Sequence, residues 1–175
     1  MAQETARDVI IRYLDDAIAA EKSFESQLRS FAKSGDQAEA KQLFEQHADE
    51  TRRQYERLTA RLEALGKTPS TAKSFMAHLF ALAPETAQIG HEPAEKNTQQ
   101  LVIAYAVENS EIAMYEAFAT VCSAAGDAET ERLVREIQAE ERTTAEKVWN
   151  ALPRSARDSF YKVTGEKIAG GGAGA

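Results

Sequence analysis

The stretch 34–56, SGDQAEAKQLFEQHADETRRQYE, recurs in the second half of the chain as 125–147, AGDAETERLVREIQAEERTTAEK. The two copies align on a Gly-Asp pair, on Leu43 with Val134, and on Glu50 with Glu141. Each Gly-Asp pair is a turn signal set between long runs of Ala, Glu, Lys, Arg, Gln and Leu, the composition of good helices. Before the first turn, Ile10, Leu14, Ala17, Glu21, Phe24, Leu28 and Phe31 step by alternating fours and threes. That is the spacing of a helix face buried against other helices. After the turn, Leu43, His47, Glu50, Gln54, Leu58, Leu62 and Leu65 form the predicted stripe of a second helix, with Gly66 as its C-cap. A repeated turn flanked by seams predicts two helical hairpins.

Between the hairpins the texture changes. Pro69, Pro84, Gly90 and Pro93 punctuate residues 67–97, where only 72–83 has the composition of a short helix. A third helix then carries Leu101, Tyr105, Glu108, Glu111, Ile112, Tyr115, Phe118 and Cys122, and a fourth carries Val134, Ile137, Glu141, Thr144, Val148 and Leu152. Pro153 is predicted to stop the fourth helix, with a short amphipathic piece at 156–163 after it. The expectation is an all-α four-helix bundle formed by one domain over residues 1–165, with a flexible Gly/Ala tail at 166–175. The long crossover containing a short helix makes helices two and three parallel.

At 175 residues and 19.2 kDa the chain fits a single core. Its 21 Lys+Arg against 28 Asp+Glu give a net charge of −7, interspersed along the chain, which argues against nucleic acid or an anionic membrane as partner. Cys122 is the single cysteine, so no internal disulfide forms. The N-terminus lacks the pattern of a signal peptide, and the most apolar window, 75–83, is interrupted by His78 and too short to span a bilayer. These features predict a soluble, cytoplasmic protein.

Carboxylates break the apolar seams at matching heights. Glu21 lies fourteen residues before Gly35 and Glu50 fifteen after it. At about 1.5 Å per residue, both sit roughly 21 to 23 Å from the same turn. Glu111 and Glu141 lie fifteen residues either side of Gly126, and Glu108 is one turn further from it than Glu111. His47 shares the face of Glu50 and is expected at the layer's edge. Each seam Glu forgoes the roughly 1.5 to 3 kcal/mol of a buried Leu and, if ionised, adds several kcal/mol of desolvation cost. Four or more would challenge a total stability of about 5 to 15 kcal/mol. Such a layer must be hydrated, protonated, paired with Arg or Lys, or neutralised by metal. Hard oxygen donors with an imidazole at the centre of a bundle suit iron or manganese.

The paired hairpins and the segments AIAAEKSFESQL (17–28), HADETRRQYERL (47–58), YAVENSEIAMYEA (105–117) and QAEERTTAEKVW (138–149) resemble the bacterial ferritin-like stress proteins of the YciF type, and more distantly rubrerythrin and the di-iron carboxylate superfamily. The resemblance implies a ferritin-like bundle that offers one Glu from the first helix, Glu-x-x-His from the second, Glu from the third and Glu-x-x-His from the fourth. Glu21, Glu50, Glu108 or Glu111, and Glu141 match the carboxylates, with Glu140 as the alternative to Glu141. Arg53 and Thr144 stand where the two histidines are implied, and His47 precedes Glu50 in reversed order. A lopsided or single-metal site follows from that departure.

The resulting expectation is a stress protein with a metal site of Glu21, His47, Glu50, Glu108, Glu111 and Glu141, holding one or two iron ions or manganese. Its implied reaction is with oxygen or hydrogen peroxide, and its expected partner is a second copy, because Leu79, Phe80 and Leu82 leave apolar surface. The alternative is a metal-free structural bundle. His78 and His91 read as capping or surface residues, Cys122 as packing, and Tyr13, Tyr55, Tyr105 and Tyr115 as core or as partners of the site.

Overall fold

A computed structural model describes residues 4–70 and 91–166. Four helices, α1 (Ala6–Ser34), α2 (Ala38–Ala64), α3 (Lys96–Ala125) and α4 (Ala128–Thr164), are joined by two short turns and one long connection, and a 3-10 turn at Pro93–Glu95 leads into α3. No strand occurs among the described residues. Local chemistry sets the helix ends. Thr5 and Asp8 form a capping box at the start of α1, and the Asp127 carboxylate accepts from Thr130 N at 3.0 Å at the start of α4. Gly66 and Gly126, with φ of 69° and 74°, close α2 and α3.

Contacts along the helices fix the topology. The Tyr13 and Phe118 rings meet at one end, 5.4 Å apart, and Gln100 donates to the Ser34 hydroxyl at the other, so α1 and α3 are antiparallel. Arg61 bridges to Asp127 at one end of α2 and Gln37 donates to the Ser155 carbonyl at the other, so α2 and α4 are antiparallel as well. With α1–α2 and α3–α4 as hairpins, α2 and α3 run parallel. The connection leaves where Ser70 N donates to Asp15 and returns at the opposite end, where Asn97 Oδ1 accepts from Asp36 N and Gln37 N. The short helix expected at 72–83, His78, the apolar Leu79, Phe80 and Leu82, and the tail from 167 onward lie outside the described residues.

The apolar core has two parts. One holds Phe24, Leu28, Phe31, Phe44, Leu101 and Val148; the other holds Leu14, Leu58, Leu62, Phe118, Val134 and Ile137. Glu21 falls in α1 between Ile18 of the second and Phe24 of the first, so a polar layer interrupts the core at mid-bundle.

Two expectations are corrected. On α2 the buried stripe is Phe44, His47, Thr51, Gln54, Leu58 and Leu62, leaving Leu43 and Glu50 half-buried. Phe44 turns inward to meet Phe31, ring centroids 5.4 Å apart, and that rotation carries Glu50 towards the rim. Pro153 does not end α4, which runs on to Thr164. Tertiary contacts hold the extension: Ser155 and Ser159 share hydrogen bonds with Thr98, Ser159 donates to the Ala94 carbonyl, and Arg154 and Lys162 pair with Glu39 and Asp36. Among the described residues, no helix is long and apolar enough to cross a membrane.

Candidate metal centre

Each helix contributes to the mid-bundle layer. Glu21 comes from α1, His47 from α2, Glu108 and Glu111 from α3, and Glu141 from α4. All five are no more than 2 % exposed. His47, Glu108 and Glu141 each offer a donor atom, and these atoms lie within 4.8 Å of one another. His47 Nε2 is 2.5 Å from Glu108 Oε1, yet neither atom is in hydrogen-bonding geometry. The Phe24 ring stands edge-on to the His47 imidazole, 5.1 Å between centroids, and seals that side against water.

Glu50 stands apart. Its side chain is 32 % exposed, and its carboxylate accepts from Thr144 Oγ1 at 3.0 Å and Lys147 Nζ at 3.1 Å. His47, expected at the edge, is in the core, and Glu50 takes the edge instead. Glu140 faces outward, held by Arg57 at 2.6 Å and by Gln54 at 3.3 Å. Of the two alternatives in α4, Glu141 is therefore the inward residue.

Among the described residues, no Lys or Arg forms an ion pair with Glu21, Glu108, Glu111 or Glu141. Tyr115, itself fully buried, donates its hydroxyl to Glu21 Oε1. With the carboxyl groups ionised, the remaining atoms are largely orphaned: Glu21 Oε2, both nitrogens of His47, both oxygens of Glu108 and Glu111, and Glu141 Oε1 have no hydrogen-bond partner. Buried polar atoms are ordinarily paired, and each unpaired one costs about 1 to 3 kcal/mol.

Burial and mutual repulsion decide the protonation states. Burial first, then the nearby Glu141 charge, pushes Glu21 well above the usual carboxylate range, and the Tyr115 hydrogen bond opposes the rise. Burial raises Glu108 to about 8. Glu111 and Glu141 are raised well above the usual range, by burial and then by neighbouring carboxylates. A hydrogen bond between Glu108 and Glu141 lowers the first and raises the second. Carboxylates only accept, so this bond exists when one of the two carries the proton. Burial depresses His47 to about 3, which keeps its imidazole neutral. Without a cation the layer is thus a set of neutral acids around a neutral imidazole.

This donor set fits a metal ion. Four carboxyl groups are hard ligands, a neutral imidazole has a lone pair to give, and the orphaned atoms lack any other partner. A dication would offset the charge that otherwise drives the carboxylates to hold protons.

Sequence reasoning left the role of Tyr115 open, put Thr144 on the inner stripe of the fourth helix without its bond to Glu50, and missed Lys147. Tyr115 sits four residues after Glu111, and that spacing could have flagged it. Nothing in the sequence signalled Lys147. His91 is exposed and lies 3.4 Å from Glu95, as a surface residue does, and Cys122 is buried in the core.

Comparisons with known proteins find a matching family and similar solved structures. The family described as "Domain of unknown function (DUF892)" matches residues 5–160. Protein YciF of Escherichia coli (strain K12) is 28% identical over 146 residues, which is 82% of this chain and 88% of that protein. The crystal structure of the E. coli stress protein YciF superposes with a TM-score of 0.78 at 25% identity, over 89% of this chain and 99% of that one. A crystal structure of a protein from Xanthomonas campestris pv. campestris gives 0.77 at 25% identity, over 91% and 99%.

Proposed function

The chain belongs to the DUF892 family, and on that premise we propose that it is a ferritin-like, metal-binding stress protein whose mid-bundle layer holds one or two iron or manganese ions. The observation that carries this reading is the set of buried, orphaned donor atoms on Glu21, His47, Glu108, Glu111 and Glu141. His47, Glu108 and Glu141 are the primary ligands, and Glu21 and Glu111 supply further carboxylates from α1 and α3. When bound there, iron or manganese supplies one-electron redox chemistry towards dioxygen or hydrogen peroxide. Tyr115 orients Glu21 by donating to Oε1, leaving Oε2 free to ligate. Phe24 keeps water from His47. Loading displaces the protons that burial keeps on the four carboxyl groups, so binding strengthens as pH rises.

The experiment is metal analysis of protein purified without a chelating column, followed by anaerobic melting with Fe2+ or Mn2+. A ligand that binds only the native state adds about 2.7 kcal/mol at a hundredfold excess over its dissociation constant, and Glu141→Gln should remove most of that gain. Mixing the ferrous form with oxygen or peroxide then tests for turnover. A second reading, a metal-free structural bundle, is favoured by Glu50, which finds its partners in Lys147 and Thr144 without any metal. It requires that neither ion shift the melting temperature. A cytoplasmic homodimer completes the proposal, and a monomer mass by light scattering at micromolar concentration would exclude the dimer.

A further inference from the structure

We propose that Glu50 is a two-position carboxylate: Lys147 and Thr144 latch it outward at the mouth of the cleft between α2 and α4, and its release from Lys147 lets it turn in as an additional ligand for a divalent cation. This inference rests on the metal-site reading above and adds the way the site is reached and controlled.

The cleft has a volume of about 310 Å³ and is lined by Glu50, Arg53, Arg57, Glu140, Thr144 and Lys147, among others. Arg57 is engaged by Glu136 and Glu140, and among the described residues Lys147 is the cation that forms an ion pair with Glu50. Glu50 lies one turn from His47 on the same side of α2, and its charge acts on His47, Glu108 and Glu141, which puts it beside the layer. The other carboxyl groups of the layer have no such second position, since the core surrounds them. The latch is of the kind that opens readily: Lys147 is 47 % exposed and Glu50 32 % exposed, and ion pairs this wet are weak. In the latched state the Lys147 ammonium stands at the mouth beside Arg53 and Arg57 and opposes an incoming dication. Opening the latch turns the same place into a path with a carboxylate at its inner end. Thr144 stands where the family resemblance implies a histidine, so the position that would otherwise supply a ligand supplies half of a latch.

The test is Mn2+ binding, read as loss of the free-ion electron paramagnetic resonance signal, in wild type, Lys147→Gln, Glu50→Gln and the double variant. Lys147 is exposed enough for its replacement to leave the fold intact, which a melting curve checks. Lys147→Gln should bind Mn2+ about three- to tenfold more tightly than wild type, the scale set by one wet ion pair and one repelling charge. Glu50→Gln should bind about tenfold more weakly, and Lys147→Gln should add nothing in that background. Equal affinity of wild type and Lys147→Gln overturns the latch while leaving the metal site standing. The same gain from Lys147→Gln with and without Glu50 also overturns it, because Lys147 would then act only through its field. Wild type that takes up no Mn2+ at any concentration tested overturns both the site and its latch.

Discussion

Glu108→Gln in metal-stripped protein is the perturbation whose outcome the layer fixes most sharply. Glu108 is fully buried and holds its proton in the fold up to a pKa of about 8, whereas its ordinary value is 4.5. A folded-state pKa above the unfolded one contributes stability that is fully present below 4.5 and is lost as pH rises towards 8. Each pH unit in that window costs about 1.4 kcal/mol, so by pH 7 the wild-type side chain forgoes about 3 kcal/mol. Glutamine keeps the shape and cannot ionise in the unfolded chain. The variant should therefore match wild type near pH 4.5 and exceed it by about 3 kcal/mol at pH 7, or roughly 6 to 12 °C in melting temperature for a chain of this size. Urea titrations of chelator-treated protein at pH 5, 6 and 7 measure the difference. A gap that stays constant with pH would refute the reasoning, because it would mean that Glu108 is ionised in the fold or that a cation survives the chelator. Saturating Mn2+ should reverse the order, since the glutamine has lost the charge that the ion needs.

Three further perturbations have definite signs. A Cβ on Gly35 would sit 1.9 Å from Asn97 Nδ2, so Gly35→Ala must evict the side chain that caps Asp36 and Gln37 and should cost about 2 to 3 kcal/mol by thermal melting. Pro153 is exposed in the interior of α4, where proline costs up to about 3 kcal/mol; Pro153→Ala should raise the melting temperature, and a fall would mean that the ring is packed against a partner. Tyr115→Phe removes the hydroxyl that donates to Glu21 Oε1 and should destabilise the metal-free protein by about 1 to 3 kcal/mol, an effect that a double-mutant cycle with Glu21→Gln should show to be shared between the two residues.

Much of the site was legible because helix rise turns sequence distance into height. Counting residues from Gly35 and Gly126 put Glu21, Glu111 and Glu141 at one level, and the structure buries all three there with Glu108 and His47. The parallel run of α2 and α3 followed from the long connection alone. Rotation about a helix axis was harder to read than height along it. Leu43 and Phe44 are both apolar, so either could face inward, and the choice decides whether Glu50 or Thr51 lies in the core. The packing of Phe44 on Phe31 settles that choice, and no local pattern reports it. Pro153 misled for a related reason: a backbone preference of a few kcal/mol yields to tertiary contacts made by Ser155, Ser159, Arg154 and Lys162, whose partners lie far away in sequence.

The two turn glycines occupy equivalent places in the repeat, yet the same residue type is required for unlike reasons. Gly126 sits at φ 74° with open space where a side chain would go, so its constraint is private to its own backbone, and Asn, which tolerates that conformation, could replace it alone. Gly35 has an ordinary φ of −85°; what it lacks is room, because Asn97, more than sixty positions away, fills the space. Drift at Gly35 is therefore tied to drift at Asn97, and a side chain gained at one must be matched by one lost at the other. In a chain built from two copies of one hairpin, the first turn has become a joint that binds the halves together, while the second remains a plain bend.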